Sequence, residues 1–172
     1  TSFSATWEKG SAWPSLAFGA YIDPKSENNP WGSCTDNILV RPIADGKGFA
    51  EAIPLKPSYC ALSMLFTDWN RSGTPSLRVS NDREYYEGGQ EQLWHVDAGE
   101  EPRLYTDAEG WKFLKIWGMG IASTVLSGDT NPSYFLTSMS DNKLQVLRSP
   151  PDGPLKPIYK DIAYDRGAVA YH

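Results

Sequence analysis

The chain has 172 residues, of which 40% are hydrophobic, so it can build an ordinary globular core and does not resemble a disordered tail. Its 16 basic and 21 acidic side chains give a formal net charge of −5. This balance disfavours nucleic acid as a partner, because phosphate capture depends on clustered Lys and Arg. The 7 Trp, 9 Tyr, 13 Pro and 15 Gly are typical of short strands joined by many turns.

Three segments of similar pattern follow one another along the chain, at 15–23, 61–68 and 117–125. Each reads as a short strand of small and apolar residues that runs into a loop. Two of the loops, 68–77 and 125–134, match closely and carry Pro and Ser at the same offsets. Between equivalent loop starts, 68 − 23 gives 45 residues and 125 − 68 gives 57, which fits one four-stranded propeller blade per unit.

Further strands are predicted after each loop, which completes the blades. The sequence therefore predicts an all-β chain, a single β-propeller segment of about three four-stranded blades at 15–55, 58–110 and 114–165. A ring normally closes with roughly 4 to 8 blades, so this ring is incomplete. We expect the missing blades to come from a longer chain, from a chain cleaved after synthesis, or from copies or partners.

The recurring strand with Phe-Gly or Gly-Met-Gly, followed by a loop of the form Asp-x-Asn-x-x-Gly-x-Pro and an apolar strand, resembles the FG-GAP/VCBS repeat family. The resemblance covers roughly residues 15–147. It includes the bacterial relatives of the cartilage acidic protein group, and the units are similar to integrin α-subunit blades. It implies a secreted or periplasmic β-propeller used for adhesion, ligand capture or assembly.

The same resemblance implies a calcium loop, with oxygen ligands at loop positions one, three, five and nine. In the second unit these positions hold Asp68, Asn70, Ser72 and Ser76. One carboxylate in such a loop predicts weak calcium binding or none, because affinity depends on the number of charged ligands. The alternative is that these side chains hydrogen-bond their own backbone and hold the turn without metal. No other cofactor is expected.

Two cysteines, Cys34 and Cys60, could form one disulfide between neighbouring units in an oxidising compartment, or could remain two buried thiols. No apolar run approaches the roughly 20 residues that span a bilayer, so we expect a chain that does not span a membrane. The N-terminus lacks a signal-peptide pattern, and any targeting segment would have been removed already.

Aromatic side chains on loops are the candidate ligand-binding residues, because they offer flat platforms for sugars or anchors for a protein partner. The candidates are Trp31, Trp69, Tyr85 and Tyr86. The other five tryptophans are expected to pack between blades: Trp7, Trp13, Trp94, Trp111 and Trp117.

The sequence predicts no catalytic residues. The chain has two histidines, His95 and the terminal His172, and His95 reads as a strand histidine rather than a general base. The predicted function is a non-catalytic structural or recognition subunit of an extracytoplasmic assembly. Its partner is a protein or further blades that complete the ring. A carbohydrate-binding propeller is the first alternative, and a propeller-scaffolded polysaccharide-active enzyme, with His95 or an acidic pair beside Arg or Tyr, is the second.

Overall fold

A computed structural model of the chain describes residues 2–26, 33–82, 89, 91–112, 114–126, 128, 130–139, 142–148 and 156–161. Over these residues the fold is all-β, with one short 3₁₀ turn at Asp107–Glu109, so the predicted class is confirmed. Antiparallel strands suit this sequence because apolar and polar residues alternate along them and turn residues separate them.

The described strands form three antiparallel sheets, each built from four strands in chain order. The first contains β1 (Ser2–Thr6), β2 (Ser15–Gly19), β3 (Asn37–Val40) and β4 (Ile53–Leu55). The second contains β5 (Ala61–Thr67), β6 (Ser76–Asn81), β7 (Gln92–His95) and β8 (Arg103–Leu104). The third contains β9 (Gly118–Thr124), β10 (Ser133–Ser138), β11 (Lys143–Arg148) and β12 (Lys156–Asp161).

The sheets stack in chain order, with β1 against β5 and β5 against β9. One apolar core lies between the first and second sheets and a second core between the second and third. Strand β6 serves both, because successive side chains of a strand point to opposite faces. Leu77 and Val79 enter the first core, whereas Arg78 reaches Gln145 of the third sheet.

The hairpin loop between the first two strands of each sheet shows the true repeat. These loops occupy 7–14, 68–75 and 125–132, and each follows Thr and ends in Pro before a Ser that opens the next strand. The spacing is therefore 76 − 15, or 61 residues, and 133 − 76, or 57. The predicted spacing of 45 was wrong, and the first unit begins at β1, one strand before residue 15.

The error in the first unit has a physical origin. Segment 15–23 has the small, apolar composition of β5 and β9, but it contains the second strand of its sheet. The first strand, β1, alternates Ser2, Ser4 and Thr6 with exposed residues, so its sequence carries no apolar run. Its Ser4 Oγ accepts a hydrogen bond from the Phe66 backbone N–H at 3.0 Å, which places its polar face against the second sheet.

A disulfide and a buried polar cluster connect neighbouring sheets, the cluster through the hydrogen bond from Arg78 to Gln145 of the third sheet. A disulfide connects Cys34, between β2 and β3, to Cys60, directly before β5. At the opposite boundary, Arg78 pairs with Glu91 at 2.8 Å, and both side chains are completely buried. Burial raises the pKa of Glu91, and the adjacent Arg78 opposes that rise.

Candidate functional site

A groove of about 400 Å³ opens where the β1–β2 loop, 7–14, meets the β3–β4 loop, 41–52. This volume falls in the range of roughly 300–1,000 Å³ that is usual for small-molecule sites. Both loops lie at the same end of the first sheet, because antiparallel neighbours turn back at alternate ends. The lining residues are Glu8, Lys9, Gly10, Ser11, Ala12, Trp13, Ser15, Arg41, Pro42, Ile43, Ala44 and Ala98.

An ion pair between Glu8 and Arg41 forms the charged part of this groove. Arg41 Nε donates to Glu8 Oε1 at 2.8 Å, and Ser15 Oγ donates to the same oxygen at 2.7 Å. The Arg41 guanidinium also donates to the backbone carbonyl of Glu100 at 2.8 Å and to that of Asp97 at 2.9 Å. Arg41 is therefore held from three sides, and it ties the first sheet to the 97–100 turn of the second.

The second carboxylate oxygen of Glu8 is unused. The Glu8 side chain is only 8% exposed, yet Oε2 makes no hydrogen bond with any described residue. Oε2 is not one of the solvent-inaccessible side-chain atoms that lack a hydrogen-bond partner, so its missing partner is not due to complete burial. Since Glu8 lines the groove, Oε2 meets the solvent there as an oriented hydrogen-bond acceptor.

Trp13 forms one wall of the groove, with 53% of its surface exposed. Its indole lies directly over Gly46, where an added Cβ would fall 1.8 Å from the indole Nε1. Gly46 also has a φ of 68°, which is strained for residues with a side chain. Ser11 Oγ donates to the Trp13 carbonyl at 2.7 Å, so both the backbone and the ring of Trp13 are held in place.

A second groove of about 310 Å³ continues on the other side of Trp13. It shares Trp13 and Pro42 with the first and adds the half-exposed ring of Phe49. Trp13 therefore lines both grooves, with the Glu8 carboxylate in the first and the aromatic ring of Phe49 in the second. This site could not be predicted from the sequence because its two halves, within 8–15 and 41–49, are distant along the chain and meet only through strand pairing.

The predicted calcium loop has a closed internal hydrogen-bond network. Asp68 Oδ1 accepts from the Ser72 backbone N–H at 2.8 Å, and Oδ2 accepts from the Gly73 N–H at 2.9 Å. Asn70 Oδ1 accepts from the Ser72 N–H at 3.2 Å. Ser76 lies apart in a buried position, beside the Tyr105 hydroxyl at 3.3 Å. Side chains of this loop thus hold the turn directly, and weak calcium binding or none stays the prediction for it.

Of the four predicted ligand-binding aromatic residues, the structure describes Trp69, which is buried and not exposed. Trp69 is only 4% exposed, because it packs in the second core and donates from its Nε1 to the Tyr105 hydroxyl at 3.4 Å. The other three candidates, Trp31, Tyr85 and Tyr86, lie outside the described residues.

The tryptophans expected to pack between blades divide into two groups. Trp94 and Trp111 are buried, as predicted. Trp7, Trp13 and Trp117 are exposed to 62%, 53% and 40%, so the prediction was wrong for them. Trp7 and Trp13 belong to the hairpin loop of the first sheet, which has no described sheet on its other side.

His95 is the centre of a polar cluster in the second sheet. Its Nε2 lies 2.8 Å from Glu109 Oε1, and Arg103 Nη1 donates to both Glu109 oxygens at 2.9 and 3.0 Å. The Tyr105 ring stacks on the imidazole with centroids 3.5 Å apart. The enzyme alternative requires a cleft that brings His95 or an acidic pair together with Arg or Tyr; His95 contacts Tyr105 and Glu109 here, but none of these three residues lines the grooves at Trp13.

The pKa shifts in this cluster favour a neutral histidine and an ionised carboxylate. Burial, followed by the charge of Arg103, lowers the pKa of His95. Burial alone would raise the pKa of Glu109, but hydrogen bonds from Arg103 and Thr106 lower it on balance. Both Glu109 oxygens are already occupied, and none of these groups lines the two grooves at Trp13.

Across the described ranges, no group of three or more His, Cys, Asp or Glu side chains is arranged to hold a metal ion. No helix among those residues has the length and apolar character needed to cross a membrane. Comparison of the chain with protein-family models, curated proteins and solved structures found no match.

Proposed function

We propose that the chain is a stretch of β-propeller from a secreted or periplasmic protein and serves as a non-catalytic structural or recognition part of an assembly. The observation that supports this best is the outward face of the first sheet. In the other two sheets the equivalent face is covered by the preceding sheet. The first sheet presents the same kind of surface with no described neighbour.

The outward face of the first sheet is apolar throughout. Residues paired directly across antiparallel strands share one face, so the register identifies its members. Phe3 pairs with Phe18 and their rings lie 5.3 Å apart, and Phe18 pairs in turn with Ile38. The remaining members of this face are Ala5, Leu16, Val40 and Pro54. Phe3 is 57% exposed, which costs hydrophobic free energy unless a partner covers it.

The repeat indicates what covers this face. When the strands are aligned on the shared Pro-Ser, Leu16 corresponds to Leu77 and Tyr134. Leu77 and Tyr134 are fully buried, each in the core shared with the preceding sheet. In the same way, Phe18 corresponds to Val79 and Leu136, which are also fully buried. We therefore assign the outward face to another four-stranded sheet of the same repeat, which a propeller would provide.

Two further observations support the location and the absence of catalysis in this proposal. Disulfides persist in oxidising compartments, and Cys34 and Cys60 are joined by one. The His95 cluster uses its acidic group to hold Arg103 and the backbone N–H of Thr106, which is a structural use of those groups. Resemblance to FG-GAP/VCBS repeats points to the same class of extracytoplasmic assembly.

The test is hydroxyl-radical labelling of the intact protein purified from its source. The labelling rate of each residue is normalised to its rate in the unfolded chain. We expect Phe3 and Phe18 to be protected like the core residue Leu77, and Trp7 to label at an exposed rate. Native mass spectrometry then distinguishes a covering sheet in the same polypeptide from one in a bound subunit. Labelling of Phe18 at the normalised rate of Trp7 would overturn the proposal.

A further inference from the structure

We propose that the paired grooves around Trp13 bind a carbohydrate, with the indole as the stacking platform and Glu8 Oε2 as an acceptor for sugar hydroxyls. This assigns a ligand class and a site that the propeller proposal does not contain. The site is built by the first sheet and the 97–100 turn alone. All of its lining residues belong to these two parts of the chain.

The aromatic wall has the properties of a sugar platform. A pyranose ring presents axial C–H groups on one face, and these pack on a flat, large aromatic surface. Trp13 offers such a surface because about half of it is exposed while Gly46 supports the ring from behind. Its position is set before a ligand arrives, so little conformational entropy is lost on binding.

The polar wall selects hydroxyl donors. Glu8 Oε1 is already bonded to Arg41 and Ser15, which fixes the carboxylate and leaves Oε2 as the open acceptor. Three of the five N–H groups of the Arg41 guanidinium donate to Glu8 and to the backbone of Asp97 and Glu100, so Arg41 fixes the carboxylate in place. Arg41 offsets the charge of Glu8, and the free Glu8 oxygen accepts a hydrogen bond that a neutral polyol can donate.

The presence of two neighbouring grooves favours an oligosaccharide over a single sugar. The grooves of about 400 and 310 Å³ share the lining residues Trp13 and Pro42, so the proposal places adjacent sugar rings of one chain in the two grooves. Phe49 then provides a second aromatic surface beyond the first.

The experiment screens the labelled full chain on an array of neutral glycans and measures each positive glycan by titration calorimetry. The variants are Trp13→Ala, Glu8→Gln and, as matched control, Trp7→Ala. Trp7 is more exposed than Trp13 and lies in the same loop, 7–14, but it lines neither groove. We expect affinity to fall about tenfold or more in the first two variants, because each loses a central anchor or a charge-assisted hydrogen bond. The control should retain it within about twofold.

Three results would overturn the assignment: no glycan bound by the reference chain, affinity preserved in Trp13→Ala, or an equal loss in Trp7→Ala. Circular dichroism and urea midpoints confirm that each variant is folded. If Glu8→Gln unfolds because Arg41 loses its partner, the affinities of Trp13→Ala and Trp7→Ala still show whether the glycan binds at Trp13. Failure here leaves Phe18 labelling unaffected, so it is distinguishable from failure of the propeller proposal.

Discussion

The Glu91→Gln exchange removes one charge from the buried Arg78–Glu91 pair of the second sheet, on the side that faces the third sheet, with almost no change in shape. Arg78 is completely buried, donates to Glu91 at 2.8 Å and to Gln145 at 3.0 Å, and lies 5.3 Å from the Trp111 ring centroid. In the variant its guanidinium keeps a full charge without a counter-ion. Breaking a buried pair in this way costs about 3–5 kcal/mol, a large part of a total of about 5–15 kcal/mol.

Urea unfolding of the purified chain measures this loss, with an expected fall of the midpoint by about 1 M or more. The matched control is Asp36→Asn, which breaks the 3.0 Å pair between Lys56 and Asp36. Their side chains are 64% and 43% exposed, so that pair should contribute only about 0–1 kcal/mol. A Glu91→Gln loss no larger than that of Asp36→Asn would refute the reasoning.

The substitution Arg78→Met removes the other partner of the buried pair, and its effect on stability should depend on pH, unlike the effect of Glu91→Gln. Burial raises the pKa of Glu91, and without Arg78 its largest opposing influence is gone, so the pKa rises further. A raised folded-state pKa gives stability that is present below the ordinary value of 4.5 and lost as pH rises through the folded value. Arg78→Met should therefore lose less stability at about pH 5 than at about pH 8. Glu91→Gln should show no such relief, because Arg78 stays charged, and identical pH profiles for the two variants would contradict this.

Reduction of the disulfide between Cys34 and Cys60, which are 26 residues apart, should lower stability by about 3.5 kcal/mol, and a Cys34→Ser/Cys60→Ser chain should not respond to reductant. The pKa of His95 is held below its ordinary 6.5, so the free energy of unfolding should fall as pH drops from about 7.5 to about 5.5. His95→Gln should weaken this pH dependence, and an unchanged dependence would show that His95 is not its cause. Asp68→Ala should cost about 1 kcal/mol through its lost backbone hydrogen bonds. Calcium should leave the unfolding midpoint of the reference chain unchanged, and a rise with calcium would show that the loop binds it.

Much of the fold could be read from local patterns, because strand formation and hairpin turns depend on neighbouring residues. The loops at 68–75 and 125–132, with their Pro-Ser ends, correctly identified the hairpins of the second and third sheets. The first sheet was misaligned because β1 has no apolar run of its own. Strand β1 belongs to the first sheet because it pairs with β2, where Phe3 lies opposite Phe18.

The functional residues were harder to predict, because exposure belongs to the assembled sheets and not to a residue type. Trp69 and Trp13 occupy loops that correspond in the repeat, yet the first is buried and the second exposed. Trp69 meets Tyr105 of its own sheet, whereas Trp13 turns over Gly46 and leaves one side of its ring to solvent.

The sequence by itself determined the all-β class, the hairpin turns of the second and third sheets and most of the strands, since these follow from alternation, β-branched and aromatic residues, and Gly and Pro at bends. Only the tertiary structure decided which faces are covered and which side chains meet. Glu8 and Arg41 form one ion pair because antiparallel pairing carries two loops to the same end of a sheet. The apolar face at Phe18 stays open because no described sheet lies against it, although the same positions are buried in the next two sheets.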